Sequence, residues 1–199
     1  MPIGRPSLTE RRKAETRLDV ARAAVGLFVT KGVAATSAEE IAAAAGISSR
    51  TLWRYFPTKD SCVMPLLTGG IEIAADWLRS WRDDQGMPEL IEVMRQPVQL
   101  TDDRATMLDL VRLTRTEPGL RAVWLEAHRQ AEPVFAEALA RRSGLSAPDL
   151  TVLVHAAMIN AALRAAVEHH AFQTDPAEDE PGRLEVVVSE ALLIAARGF

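Results

Sequence analysis

The chain predicts an all-α fold, and three observations predict it. Apolar residues recur every three or four positions through most of its 199 residues, the period of a helix with one buried face. Ala and Leu dominate while aromatics are only 5%, a composition that favours helix over strand. Ser and Thr caps open the apolar stretches and Gly or Pro closes them, and no segment alternates with the two-residue period of a strand.

Residues 1–9 read as a flexible basic arm. Residues 11–30 form an amphipathic helix with Leu18, Ala21, Val25 and Phe28 on one stripe and Gly32 at its end. Ser37 and Glu40 stand three apart as a capping box, which starts a second helix at about Ala38. Ile41 and Ala45 share its inner face, and Gly46 supplies the left-handed residue that ends it. Ile47 plugs the space between this helix and the next, which Ser48 or Ser49 caps. Leu52 and Phe56, four apart, face inward and leave Ser49, Arg50, Trp53 and Arg54 outward, and Pro57 stops the helix. Two short helices around a tight turn, the second faced with Arg, Ser, Thr, Trp and Tyr, have the layout of a helix-turn-helix head that reaches base edges in the DNA major groove.

Residues 58–83 read as one long helix, but Pro65 and the pair Gly69-Gly70 fall inside it. A mid-helix Gly costs roughly 1 kcal/mol and a Pro about 3, so a kink or two shorter helices are expected. A short helix over 87–96 lies between Pro88 and Pro97. Thr101 caps another, with Asp102 and Asp103 in its first turn, running to 117. Pro118 opens a helix to 142 with Pro133 inside, and Ser143-Gly144 breaks it. Ser146 and Asp149 make a further capping box leading to His170, residues 173–182 form an acidic loop, and 183–197 are the last helix. The last two helices are expected to pair with their symmetry mates in a four-helix dimer interface; the alternative is that they complete the monomer's own core.

Charge and composition narrow the function. The net charge of −4 divides unevenly: residues 1–60 hold ten Lys/Arg against six Asp/Glu (+4), and the remainder thirteen against twenty-one (−8). A basic head on an acidic body suits DNA contact through the head alone. Cys62 is the single cysteine, so it has no disulfide or resolving partner within the chain. No apolar run of 18 residues and no signal-peptide pattern are visible, which places the protein in the cytoplasm, away from membranes. His169 and His170 are adjacent, about 100° apart on a helix, and seldom share an ion, so neither a metal nor another cofactor is expected. No nucleophile elbow, phosphate loop or metal spacing accompanies the histidines, which argues against an enzyme.

The stretch "LDVARAAVGLFVTKG" followed by "TSAEEIAAAAGISSRTLWRYFPTKD", about Leu18 to Asp60, resembles the tetracycline-repressor (TetR) family of bacterial regulators. The resemblance implies a homodimer of two-domain subunits, with a DNA-binding domain over 10–60 and a helical ligand-binding and dimerisation domain over 61–199. It implies base-edge contacts from Ser48, Ser49, Arg50 and Thr51. Phosphate contacts fall to Trp53, Tyr55 and Lys59, helped by Thr36 and Ser37. Trp53 departs from the Tyr usual in the family; its indole N–H still donates to a phosphate but accepts nothing. Arg5, on the Gly4-Arg5-Pro6 arm, either enters a narrow A·T-rich minor groove or adds charge from a disordered tail.

The candidate lining of an effector cavity is Trp77, Trp81, Met94, Met107, Trp124, His128, His155 and Met158, with His155 and Asn160 as the groups that orient the ligand. Apolar and aromatic walls with a few polar groups suit a small molecule, though each of these residues also fits an ordinary core. The function expected is a ligand-responsive repressor, a homodimer on palindromic operator DNA released by a small hydrophobic effector, the alternative being an activator or a ligand-dependent DNA binder. The Pro65/Gly69-Gly70 segment is the candidate carrier of motion between body and head.

Overall fold

The computed structural model describes residues 7–95 and 103–197, and among these residues it contains nine α-helices and no strand. Arg5 with most of the basic arm, and the expected cap Thr101 with Asp102, lie outside the described residues.

Helix α1 (Leu8–Lys31) starts earlier than its apolar stripe, because the Ser7 hydroxyl accepts from the Glu10 amide and caps it. Gly32 ends it at φ +84°, a region side chains rarely enter. Helices α2 (Ala38–Ala44) and α3 (Ser49–Tyr55) follow. Gly46 takes φ +67° between them, and the Ile47 amide folds back onto the Ala42 carbonyl at 2.9 Å. The turn between the two helices is thus closed by a backbone hydrogen bond.

A 3-10 turn at Asp60–Val63 runs into α4 (Met64–Ser80). The glycine pair produces no break. Pro65 falls in the first turn of α4, where its missing N–H costs nothing. The helix continues through Gly69 and Gly70, held by the buried Leu66, Leu67, Ala74, Ala75 and Leu78 on either side.

The rest comprises α5 (Met87–Arg95), α6 (Arg104–Leu113), α7 (Pro118–Arg142), α8 (Leu150–Gln173) and α9 (Arg183–Arg197). Several boundaries differ from expectation, the end of α8 at Gln173 rather than His170 among them, and proline explains two. Helix α6 ends before 117 because Glu117 precedes Pro118 and is extended, at φ −108° and ψ 99°. Helix α8 begins at Leu150 under a cap from Asp149, whose carboxylate accepts from the Val152 amide at 2.9 Å. Ser146 cannot open it, since Ala147 precedes Pro148 and is steered away from helical geometry.

In the body α7 packs on α4 and α8, and α9 closes over α8 and α5. Helix α1 lies against α2, α4, α6 and the 3-10 turn, so its buried Val20, Ala24, Val25 and Phe28 join one apolar cluster that reaches Leu192. The 3-10 turn meets the start of α7 so closely that a Cβ on Gly119 would fall 1.9 Å from Asp60 Oδ2. The Asp60 carboxylate therefore sits in the first turn of α7, at the positive end of its dipole. Arg22 of α1 grips Asp103 at the start of α6 with two bonds, Nε to Oδ1 at 2.5 Å and Nη2 to Oδ2 at 2.8 Å.

Helix α8 corrects one expectation. An 18-residue window in it has mean hydropathy 1.6, so by length and composition alone it is apolar enough to cross a membrane, and only 33% of that window is buried. Its polar residues, His155, Asn160, Arg164 and Glu168, are too widely spaced to interrupt the average.

Candidate nucleic-acid interface and effector site

Helix α3 is short and held from both ends. Ser48 Oγ accepts from the Thr51 amide at 3.2 Å and lies 3.0 Å from Thr51 Oγ1, so the two hydroxyls form one unit. Leu52 and Phe56 are buried and anchor the inner side. On the outer side Arg50, Trp53 and Arg54 are exposed and Ser49 is half-buried. Arg50 makes no hydrogen bond or ion pair among the described residues. Arg54 lies over the half-buried Tyr55 ring at 5.1 Å, and Arg17 of α1 over Phe56 at 5.6 Å. The result is a rigid two-turn helix presenting two cations, an indole and hydroxyls on one face.

At the start of α2 the capping box is complete: the Ser37 amide donates to Glu40 Oε2 at 2.8 Å and the Glu40 amide to Ser37 Oγ at 3.2 Å. Lys31 pairs with Glu40, and that bond, followed by the Ser37 amide, holds the Glu40 carboxyl down to about 2.

Two residues expected on phosphates are used inside the fold. Thr36 is buried, and its hydroxyl donates to the Gly32 carbonyl at 2.8 Å. Lys59 Nζ donates to the carbonyls of Val33 at 2.5 Å and Thr36 at 2.9 Å, stapling the α1–α2 loop. The physical reason is the turn itself: the Val33 carbonyl accepts only a long bond from the Thr36 amide, at 3.3 Å, and the nearest cation takes both it and the Thr36 carbonyl. The Ser37 hydroxyl is likewise committed to its capping box.

The nine cavity candidates separate into groups. Trp124, His128 and Asn160 meet between α7 and α8. The Trp124 indole N–H donates to Glu168 Oε1 at 2.7 Å, and its ring stands edge-on to His128 at 4.2 Å. Asn160 Nδ2 donates to the His128 carbonyl at 2.9 Å and to Glu132 Oε1 at 3.2 Å. Its Oδ1 is therefore the acceptor for His128 Nδ1 at 2.7 Å, which leaves Nε2 unprotonated. That Nε2 is buried without a hydrogen-bond partner among the described residues. Burial pushes the His128 imidazole below its usual pKa against the upward pull of Asn160, so the ring is neutral.

Trp77 and Met94 line a second spot, a closed apolar cleft of about 10 Å³ with Leu78, Leu90, Leu163 and Leu192. Met107 packs on the core elsewhere. Trp81 lies at the end of α4, its indole N–H donating to the Gly86 carbonyl at 2.9 Å. His155 and Met158 contradict the expectation: both are exposed on the outer side of α8, beside Leu150 and Val154. Residues five apart on a helix point about 140° apart, so His155 and Asn160 cannot face one cavity.

The other singled-out groups are structural. His170 Nε2 bonds Asp179 Oδ1 at 2.9 Å and ties the end of α8 to the acidic loop. Burial pushes the Cys62 thiol up to about 12, which leaves no reactive thiolate. Sequence reasoning missed the Arg22–Asp103 clamp, whose partners stand 81 positions apart. It also did not single out Arg11 and Arg12 at the exposed start of α1, although their clustering with Lys13 behind the basic arm is visible in the sequence.

Comparison with known proteins accounts for this arrangement. Residues 20–64 match the family described as bacterial regulatory proteins of the tetR family, and residues 85–197 match the MftR C-terminal domain. The HTH-type transcriptional regulator TcmR of Streptomyces glaucescens is 28% identical over 152 residues, covering 72% of this chain and 67% of that protein. Among solved structures, a TetR-family regulator from Mesorhizobium loti aligns with a TM-score of 0.57 at 20% identity, over 94% of this chain and 97% of that one. Thermus thermophilus FadR, a TetR-family repressor solved with lauroyl-CoA, aligns with a TM-score of 0.54 at 23% identity, over 92% and 94%. Bacillus subtilis FadR, solved with stearoyl-CoA, aligns at 0.55 and 17% identity, over 92% and 98%. With more than half of its length inside the MftR-type domain and its helix-turn-helix inside the TetR match, the chain belongs to the TetR family of transcriptional regulators.

Proposed function

We propose that this regulator is a ligand-responsive repressor that binds a roughly palindromic operator as a homodimer and is released by a small, largely hydrophobic effector. The observation that carries the DNA side is Arg50, an exposed guanidinium with no partner among the described residues, on a helix whose caps and buried face fix its direction. A guanidinium so placed suits bidentate contact with a guanine edge. Ser49 and the Ser48/Thr51 pair stand beside it, with Trp53 and Tyr55 toward the phosphates. Thr36 and Lys59 act by holding the α1–α2 loop. We read residues 10–60 as the DNA-binding domain and 61–199 as the effector and dimer domain.

The dimer reading rests on the exposed stripe of α8, Leu150, Leu153, Val154 and Met158, and on Val186 and Ile194, which are exposed on α9. Two such helices and their symmetry mates make a four-helix interface. The effector reading is supported by the closed cleft at Trp77, Met94 and Leu163, by the orphaned acceptor His128 Nε2, and by the FadR folds that carry acyl-CoA. A cleft of about 10 Å³ holds at most a water, so a ligand enters only by parting the helices around it. That is the population shift the mechanism needs: effector favours a body in which the two reading helices are misplaced for successive major grooves. The Arg22–Asp103 clamp couples α6 to α1 and is one route for it.

The test is selection of random duplex DNA on the purified, ligand-free protein, with Arg50→Ala beside it. An enriched inverted repeat that the variant loses or relaxes is the expected result. No enrichment from well-folded ligand-free protein overturns the repressor reading, and enrichment only with effector present turns it into the ligand-dependent one.

A further inference from the structure

At the far end of the body a groove of about 720 Å³ opens between the C-termini of α4 and α7. Helix α7 starts against the head at Asp60 and runs 25 residues, roughly 37 Å at 1.5 Å per residue, so this groove is remote from α3 and out of reach of DNA bound there. Four arginines line it, Arg79, Arg82, Arg141 and Arg142, against a single carboxylate, Asp83. Arg142 is pinned: its guanidinium lies 3.8 Å from the Trp81 ring and donates to the carbonyls of Arg82 at 3.1 Å and Gln85 at 2.6 Å. Arg79 and Arg82 carry only exposed pairings with Asp76 and Asp84, which are worth little and yield readily to a better anion. Arg141 has no ion pair among the described residues. The floor is apolar, made of the buried Leu78 and Ala138.

Leu78 has a second role. It also lines the closed apolar cleft with Trp77, Met94 and Leu163, so one side chain separates a cationic mouth from an apolar interior. Arginines that merely cap helix C-termini need no aromatic plate beside them and no passage behind them.

We propose that this groove is an anion-binding site that takes the phosphorylated head of an amphiphilic effector, whose apolar tail passes Leu78 into the cleft beyond. Guanidinium forks match phosphate oxygens two at a time, Trp81 holds the Arg142 fork in place, and Leu78 is the residue that must move. The inference rests on the reading that the body answers to a small molecule, and names the chemistry of that molecule.

The probe is lauroyl-CoA, titrated calorimetrically into the full-length protein, with coenzyme A and laurate as head-only and tail-only controls. Saturable binding is expected for lauroyl-CoA, weaker binding for either control, and at least a tenfold rise in Kd for lauroyl-CoA in the double variant Arg79→Gln/Arg141→Gln. Arg183→Gln, exposed on α9, serves as the charge control and should bind as the parent does. Both altered arginines are exposed, so the fold is retained, and an unchanged melting curve verifies it. Equal Kd in parent and double variant, absence of binding by the parent, or laurate binding as tightly as lauroyl-CoA each overturns the proposal. Ligand-free binding to the selected operator is measured in parallel. If it persists while lauroyl-CoA fails, the groove assignment falls and the DNA-binding reading stands; if operator binding is absent, the repressor reading falls by itself.

Discussion

Of the helices that keep large apolar side chains in water, α3 and α8 do so differently. Helix α3 exposes one, Trp53 at 47%, between the cations Arg50 and Arg54. Helix α8 exposes four along one side: Leu150 at 77%, Leu153 at 49%, Val154 at 47% and Met158 at 38%. A lone indole among cations and hydroxyls gains little from an apolar partner but suits a polyanion, since its N–H and its neighbours all donate. A continuous apolar stripe suits the opposite, a surface of its own kind. Burying a fully exposed side chain of this kind is worth roughly 1.5–3 kcal/mol; with about half of each still exposed, four on each of two protomers contribute about 6–12 kcal/mol, the same order as an association cost of about 4–15 kcal/mol. On the function proposed above, one exposed face is the surface for DNA and the other the surface for a second copy of the chain.

The sharpest way to break that contrast is to place a charge in the stripe. Val154→Arg should convert the dimer to monomer at micromolar concentration, as sedimentation would show, and lower operator affinity more than a hundredfold while leaving the melting temperature of the subunit nearly unchanged. A variant that stays dimeric and keeps its affinity removes α8 from the interface. On α3 the effect is smaller and more specific. Arg50→Ala should cost about 1–3 kcal/mol, or tenfold to a hundredfold, and relax preference at one base pair in each half-site. A uniform loss across all sequences would make Arg50 a phosphate contact instead.

The same contrast governs how much was legible in the sequence. The α2–α3 frame is written locally: Ser37 and Glu40, Gly46, Leu52 and Phe56 all act within a few positions of one another, and each takes the role its spacing implies. Lys59 reads as a free cation because the carbonyls that engage it, Val33 and Thr36, stand 26 and 23 positions away, whereas Thr36 is held locally, by the Gly32 carbonyl four positions back. Helix α8 is apolar nearly all round, so its periodicity carries no direction, and His155 and Asn160 read alike although only Asn160 turns inward. Helical angles alone separate those two, and Pro148 alone forbids a start at Ser146. The Arg22–Asp103 clamp and the arginine groove bring together residues from distant helices; no local pattern announces either.

The inner side of α8 offers a milder test through pH. His128 is buried between Trp124 and Asn160, and burial lowers its pKa from the ordinary 6.5. The unfolded chain therefore binds a proton that the folded one refuses. The stability this contributes is present above about pH 6.5 and is lost as pH falls below it. Thermal melts from pH 7.5 to 5 should show that decline, and His128→Gln, which still donates to Asn160 but does not titrate, should flatten it. Equal slopes in the two proteins would assign the acid sensitivity to other groups.

The smallest expected change lies at Gly69-Gly70, between the two faces. The helix passes through both without a break, and a Cβ at either would meet nothing within 4 Å. Gly70→Ala is then sterically free and should stabilise the protein by about 0.5–1 kcal/mol, since alanine removes the entropic cost of glycine in a helix. A straight α4 in this conformation does not make it rigid: two adjacent glycines lower the cost of bending α4, and α4 joins the 3-10 turn behind the head to the mouth of the groove. If bending there carries the effector's influence to α3, Gly70→Ala leaves ligand-free operator affinity within about twofold and reduces the loss of affinity caused by lauroyl-CoA. Greater stability with unchanged release would mean that α4 moves as a rod, and that the coupling runs through α6 and the Arg22–Asp103 clamp instead.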